Sequence, residues 1–323
     1  MATTTIQAKR NTQRWLQLVL LLAAALVILV GYLVLWPASA LTTIASAALR
    51  LCGIESRYVQ LGPYRIHYFA GGTGEPLVLV HGLASRGLDF APLMPALARH
   101  HRVFALDLLG YGASDRPNVD YSVTLETTIL RQFLDSKGLT RVNLAGWSMG
   151  GWIALDFAVQ APERVNRLVL LDSAGLKFVP GFDVRLFSPH TLAEIQELEK
   201  LLTPHPWHLP TFMMQDFLRQ LRAQDWVVER TVNSMLTGRE LLDGKLASVT
   251  MPVLIVWGKQ DAVTPLSLGE AMHREMPQSV LAILDGCGHV APVECHDRVL
   301  AEMQPFLSAN PPLPAGIHEV PAH

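Results

Sequence analysis

The chain has 323 residues, 50% of them hydrophobic, enough for one large domain carrying an insertion. A formal net charge of -2 excludes the strongly basic balance of a nucleic-acid binder, and no zinc-type Cys/His spacing or Walker-type glycine loop occurs, so neither metal, cofactor nor nucleic-acid partner is expected. The 3 cysteines (Cys52, Cys287, Cys295) are too few and too scattered for a disulfide framework, and each reads as a small buried or loop residue.

The N-terminus opens with an uncharged apolar run from Trp15 to Trp36, in which Gln17 is the one strongly polar residue. As a helix it would extend roughly 33 Å, close to the hydrocarbon thickness of a bilayer. Trp15, Tyr32 and Trp36 lie near its ends, where amphipathic rings favour the interface. Lys9, Arg10 and Arg14 precede it and no acidic residue appears before Glu55, which keeps residues 1–14 cytoplasmic and sends the rest across. Residues 15–36 are therefore expected to form an uncleaved signal anchor with the bilayer as partner. Ala38-Ser39-Ala40 also fits a signal-peptidase site, and cleavage after Ala40 would release a secreted protein, but the apolar core exceeds the usual secretory length of about 7–15 residues. Residues 37–55 read as a connector, with a short helix near Leu41 to Ile54 lying on the membrane or against the domain.

Beyond the connector, strands alternate with helices, the pattern of a parallel α/β sheet. Strands are expected near Ser56–Leu61 and Tyr64–Ala70, flanking a turn at Gly62-Pro63. Pro76–Val80 is a continuous apolar run suited to a strand buried on both faces, and it ends in His81-Gly82. A helix from Leu88 to His100 leads to a strand over Arg102–Leu106, then to a loop from Asp107 to Asp115 that reads as structural. A helix near Val123–Lys137 follows. The next strand runs into Gly146-Trp147-Ser148-Met149-Gly150, with a helix starting at Gly151. Gly-x-Ser-x-Gly between a strand and a helix is the context of a nucleophile elbow, a turn so tight that the flanking glycines leave room where a Cβ would collide. Val165–Leu171, Pro252–Trp257 and Val280–Leu284 complete eight strands. A last helix is expected from Pro292 to Leu307, and the proline-rich tail 310–323 is expected to be disordered.

Between Asp172 and Pro252 the alternation stops. Helices are expected over Thr191–Leu202 and Thr211–Leu221, punctuated by prolines and rich in large apolar side chains. An insertion above the strand ends, over 176–245, is where a lid would cover an apolar pocket.

These landmarks, in order, are His81-Gly82, the Asp107–Asp115 loop, the GWSMGG elbow, GKQDAVTP (Gly258 to Pro265) and GCGH (Gly286 to His289). By them the chain resembles the α/β-hydrolase superfamily over roughly Tyr58 to Leu307, and within it the membrane-associated bacterial serine esterases and lipases. The resemblance implies a mostly parallel eight-stranded core over 56–175 and 246–309, with a helical lid inserted after the sixth strand. The family order of nucleophile, acid and histidine is met by Ser148, Asp261 and His289. Asp172, at the end of the preceding strand, is the rival acid, and Asp285 is too near His289 in sequence. The family's oxyanion donors fall on the backbone N–H groups of Met149 and Leu83, with His81 bracing the loop. Trp147, Phe182, Phe212, Met213 and Val290 are expected to line the substrate pocket.

The chemistry agrees with the resemblance. An alcohol needs a base within hydrogen-bond reach, and the imidazole needs a carboxylate to fix its tautomer. The expected activity is hydrolysis, through an acyl-serine, of carboxylic esters with an apolar acyl or alcohol part. The same scaffold and triad also serve C–C bond hydrolases of ring-cleavage products, and a tethered, non-catalytic ligand-binding protein is the third reading.

Overall fold

In the computed structural model the described residues are Trp15, 17–24, 31–32 and 34–322. Part of the expected anchor, residues 16, 25–30 and 33, and the whole of the 1–14 tail lie outside them. Among the described residues no helix is long and apolar enough to cross a membrane.

The connector forms helix α1 (Pro37–Leu51), longer at its start than expected because Pro37 suits the first helical position. The sheet then builds from β1 (Glu55–Leu61), β2 (Tyr64–Gly71), β3 (Glu75–Val80), β4 (His101–Leu106), β5 (Val142–Trp147), β6 (Val165–Leu171), β7 (Val253–Gly258), β8 (Val280–Leu284) and β9 (Gly316–Val320). Its spatial order is β1-β2-β4-β3-β5-β6-β7-β8-β9, with β1 and β2 antiparallel and every pairing from β4–β3 onward parallel. Helices α2 (Val123–Ser136), α3 (Met149–Gln160), α7 (Leu266–Glu275) and α8 (His296–Ser308) cover its faces. Leu77, Val78, Leu79 and Val80 of β3 are fully buried, as is every residue of β5 and β7. That is why β3 and β7 read as apolar runs, while β5 carries one buried polar residue, Asn143, which is satisfied by Glu75 and Asn166. Each apolar side chain so withdrawn from water stabilises the fold by about 1.5–3 kcal/mol.

Three expectations are corrected. The sheet has nine strands among the described residues, because the supposedly disordered tail supplies β9. Gly316–Val320 pairs in parallel with β8, and Lys259–Glu319 and His318–Glu302 contacts (3.1 and 2.9 Å) hold it from its two faces. Its side chains are mostly exposed, so the strand fills an open edge without the alternating pattern of a half-buried one. The helix expected over Leu88–His100 is two short turns, Gly87–Phe90 and Met94–Leu97, since Pro92 and Pro95 remove backbone donors a continuous helix would need. The last helix is likewise interrupted at Cys295, between a turn at Ala291–Glu294 and α8.

Between β6 and β7 the chain forms α4 (Leu192–Leu202), α5 (Thr211–Arg222) and α6 (Asp225–Leu236), a cap with no strand among the described residues. Thr191 starts α4 with a capping box closed by Glu194. α5 also grips the connector: the buried Asp216 carboxylate accepts from Ala38 N–H (2.9 Å) at the start of α1, and Gln220 donates to Ser39 Oγ (3.2 Å). A carboxylate at a helix N-terminus meets unpaired N–H groups and the positive end of the dipole.

One buried group in α2 makes stability depend on pH. Glu126 is fully enclosed; one oxygen accepts from Leu109 N–H (3.2 Å), the other has no partner among the described residues, and burial pushes its pKa from 4.5 up to about 8. The native state therefore keeps a proton that the unfolded chain releases first. Its contribution is complete below pH 4.5 and is lost as pH rises to about 8. Glu126→Gln should flatten this: its stability relative to the parent, from urea midpoints, should rise by on the order of a few kcal/mol between pH 5 and 8. Parallel pH profiles for the two proteins would show that Glu126 is ionised in the folded state.

Candidate active site

Ser148 stands between β5 and α3 with φ 55° and ψ -120°. A Cβ on Gly146 would lie 2.2 Å from Gly150 O, and one on Gly150 2.1 Å from Val80 O, so neither position tolerates a side chain. Ser148 N–H donates to Leu171 O (2.9 Å), while its carbonyl accepts from Gly151, Trp152 and Ala174. Both neighbours in the sequence and the next strand thus hold the serine in its strained conformation.

Its hydroxyl meets His289, whose Nε2 lies 2.9 Å from Ser148 Oγ. On the ring's other side, Nδ1 is 2.8 Å from Asp261 Oδ2. Asp261 is oriented by Val263 and Thr264 N–H groups donating to Oδ1 (2.7 and 2.9 Å) and by the Thr264 hydroxyl donating to Oδ2 (2.7 Å). All three side chains are largely shielded from water; even Ser148 is only 9% exposed. Such a chain can move the hydroxyl proton to Nε2 while the carboxylate fixes the tautomer.

Asp172 is brought near but is turned elsewhere. Its Oδ1 accepts from Gly258 N–H (2.7 Å), its Oδ2 has no partner among the described residues, and no hydrogen bond joins it to His289. Burial, followed by the charge of Asp261, pushes its pKa well above the usual carboxylate range. Asp285 sits at the surface beside Gln260 and Lys259.

Leu83 lines the same cavity as the serine, and Met149 follows it directly in the chain. A Cβ on Gly82 would stand 3.0 Å from Ser148 Cβ, so the Gly82-Leu83 backbone presses against the nucleophile. Met149 opens α3, where the first N–H groups lack intrahelical acceptors. His81 braces this loop: Nδ1 donates to Gly82 O (2.7 Å), and Nε2 accepts from Leu108 N–H (3.0 Å). Burial pushes its pKa down, keeping the ring neutral. Asp107 ties the adjoining loops by accepting from Gly87 and Ala113 N–H (both 2.7 Å) and pairing with His67 Nδ1 (2.8 Å).

Over Ser148 opens a cavity of about 280 Å³. Trp147 and Val290 line it; Phe182, Phe212 and Met213 do not. Phe182 lines a separate surface cleft and packs on Phe187 (5.9 Å between ring centres), which itself lines the cavity over Ser148, and Phe212 is 44% exposed. The reason is helical phase. On α5 the inward face is Met214, Phe217 and Leu221, three and four residues apart, which turns 212 away and leaves 213 at the edge of that face, outside the cavity. On α4 the same spacing presents Ile195, Leu198 and Leu202, and that periodicity was the signal in the sequence that could have found them. The wall also carries two carboxylates, Asp89 and Glu199, and among the described residues no lysine or arginine.

A further correction concerns the cysteines. Cys287 and Cys295 form a disulfide, with Cα atoms 6.3 Å apart, across the loop that carries His289; Cys52 is free and exposed.

A mostly parallel sheet with a strained serine at a strand-to-helix elbow, facing a histidine and a carboxylate from later strand ends, defines the α/β-hydrolase fold. The model of the Alpha/beta hydrolase family matches residues 77–302, and the chain belongs to that family. It is similar to an uncharacterised protein of Mycobacterium tuberculosis, 30% identical over 276 residues, which cover 77% of this chain and 80% of that protein. It is also similar to a 2-hydroxy-6-oxo-6-(2'-aminophenyl)hexa-2,4-dienoic acid hydrolase of Metapseudomonas resinovorans, 31% identical over 265 residues, 78% of this chain and 90% of that one. Among solved structures, a membrane phospholipase A described as a bacterial virulence factor superposes with a TM-score of 0.78 at 28% identity, covering 92% of this chain and 98% of the other. These likenesses support a hydrolase.

Proposed function

We propose that the protein is a serine hydrolase of carboxylic esters with an apolar acyl or alcohol part, working through an acyl-serine. The observation that carries this reading is the Ser148–His289–Asp261 relay opening into an apolar cavity whose charged wall groups are carboxylates. In the proposed reaction Ser148 Oγ bonds to the ester carbonyl carbon as its proton passes to His289 Nε2. The oxyanion is met by the N–H groups of Leu83 and Met149. Collapse breaks the C–O bond, and the imidazolium protonates the departing alkoxide. Water, deprotonated by His289, then attacks the acyl-serine, and the acid leaves with Ser148 restored.

A dienoic acid such as the Metapseudomonas enzyme's named substrate would bring a carboxylate toward Asp89 and Glu199 with no lysine or arginine on the described wall to balance it. Asp89 already has Arg86 (3.6 Å) as its own partner, so a substrate carboxylate would enter the apolar cavity with no cation of its own, which is costly and favours an uncharged ester.

The protein is further proposed to act as a membrane-anchored extracytoplasmic enzyme. The uncharged run 15–36 supports this, as does a disulfide suited to an oxidising compartment. The likeness to a membrane phospholipase A points the same way, toward lipid-like esters. The test is one fractionation: carbonate-washed membranes should retain p-nitrophenyl ester hydrolysis, with octanoate or longer esters favoured over butyrate. Activity confined to a vinylogous diketone would favour the C–C reading, ligand binding without turnover a binding protein, and soluble protein beginning at Leu41 a cleaved signal.

A further inference from the structure

The loop carrying His289 is held by more than its disulfide. Glu294 spans it with both carboxylate oxygens. Oε1 accepts from Gly288 N–H (2.6 Å), the residue just before His289. Oε2 accepts from the hydroxyl of Thr203, the residue that ends cap helix α4. The same stretch of cap touches the loop twice more: Val290 N–H donates to Leu202 O (3.2 Å), and a Cβ on Gly288 would stand 2.7 Å from that oxygen. Thr203 Oγ also accepts from His205 N–H (3.0 Å), so its hydroxyl is fixed from the cap side as well. Glu294 has no hydrogen bond to Ser148, His289 or Asp261.

We propose that Glu294 is a positioning residue that couples the cap to the histidine: it ties the backbone beside His289 to the end of α4, so that Nε2 reaches Ser148 only while the cap is seated. This rests on the acyl-transfer reading above. Gly288 has no side chain of its own to hold its backbone, and the disulfide anchors Cys287 and Cys295 without accepting from the Gly288 N–H, which Glu294 does. A displacement of about 1 Å at a reacting group can cost on the order of 10²-fold in rate.

The test uses the full chain as parent, Glu294→Ala, Glu294→Gln, Thr203→Val and the Thr203→Val/Glu294→Ala double variant. It reads kcat and KM on a p-nitrophenyl ester, the rate of Ser148 phosphonylation by a fluorophosphonate, and the thermal midpoint. Glu294→Ala should lower kcat and the phosphonylation rate by at least about tenfold with KM within about threefold. Glu294→Gln should recover most of both, because its amide oxygen can accept from Gly288 while its NH₂ donates to the Thr203 oxygen. Thr203→Val should show a smaller loss, and the double variant should be no slower than Glu294→Ala, the non-additivity of one shared link.

A kcat for Glu294→Ala within about twofold of the parent would overturn the proposal, as would fully additive losses. Should Glu294→Ala fail to fold, an unchanged kcat and phosphonylation rate in Thr203→Val would sink the coupling, and a loss in both would sustain it. A parent that neither hydrolyses esters nor reacts with the fluorophosphonate would remove the acyl-transfer reading itself, whereas an active parent with an indifferent Glu294 would remove this inference alone.

Discussion

Ser148→Ala should abolish ester turnover, with kcat down by on the order of 10⁴–10⁶-fold, and should erase fluorophosphonate labelling of the protein. The backbone contacts that hold the elbow, Ser148 N–H to Leu171 O and the three N–H groups on its carbonyl, do not involve the side chain. The variant therefore keeps its fold, and its thermal midpoint should stay near the parent's. What disappears is the cavity hydroxyl that His289 Nε2 reaches, and with it the oxygen activated to bond to the carbonyl carbon. The residual rate would reflect the Leu83 and Met149 donors acting on a bound ester, with water as nucleophile. Ester hydrolysis or labelling that persists in Ser148→Ala would place the reaction on another residue. Labelling would be read by mass spectrometry of the modified peptide.

How much of this site was legible in the sequence depended on how local the constraint was. The elbow was legible because its steric demand is met by Gly146 and Gly150 within the motif itself, and because an apolar strand leads into it. The meeting of His289 with Ser148 was legible from chain order and strand ends, since parallel strands bring their C-terminal loops to one edge. The cap side of the pocket was not: choosing Phe212 and Met213 over Met214 and Phe217 required the rotation of α5, which Asp216 and Gln220 set by docking against α1. The disulfide escaped because Cys287 and Cys295 meet only after the chain turns back through the short helix Ala291–Glu294. β9 escaped because an exposed edge strand needs no apolar pattern; it forms on hydrogen bonds that β8 offers, which leave no mark in the tail's own composition.

Asp261→Asn should lose about 10³–10⁴-fold in kcat, while Asp172→Asn should stay within a few-fold of the parent. The difference follows from which atoms face what. Both Val263 and Thr264 N–H groups donate to Asp261 Oδ1, so an asparagine there must keep its oxygen on them and present its NH₂ to His289 Nδ1. Two donors cannot share that contact. The ring would answer by moving its proton to Nε2, which then donates to Ser148 Oγ and can no longer accept the hydroxyl proton. At Asp172 the replacement is gentle: the amide oxygen still accepts from Gly258 N–H, and the NH₂ takes the place of an oxygen that had no partner. Burial and the neighbouring Asp261 charge both push the Asp172 pKa up and so disfavour its charged form, which makes a neutral amide suited to the site in electrostatics as well as in shape. Measured kcat for the two variants at neutral pH decides the matter, and a pH profile adds a second reading. Asp261→Asn should also regain activity at high pH, where hydroxide substitutes for the lost base. Should Asp172→Asn be the crippled variant and Asp261→Asn the active one, the acid belongs at the end of β6, and the hydrogen bonds to Thr264 and Val263 would serve only to close the loop after β7.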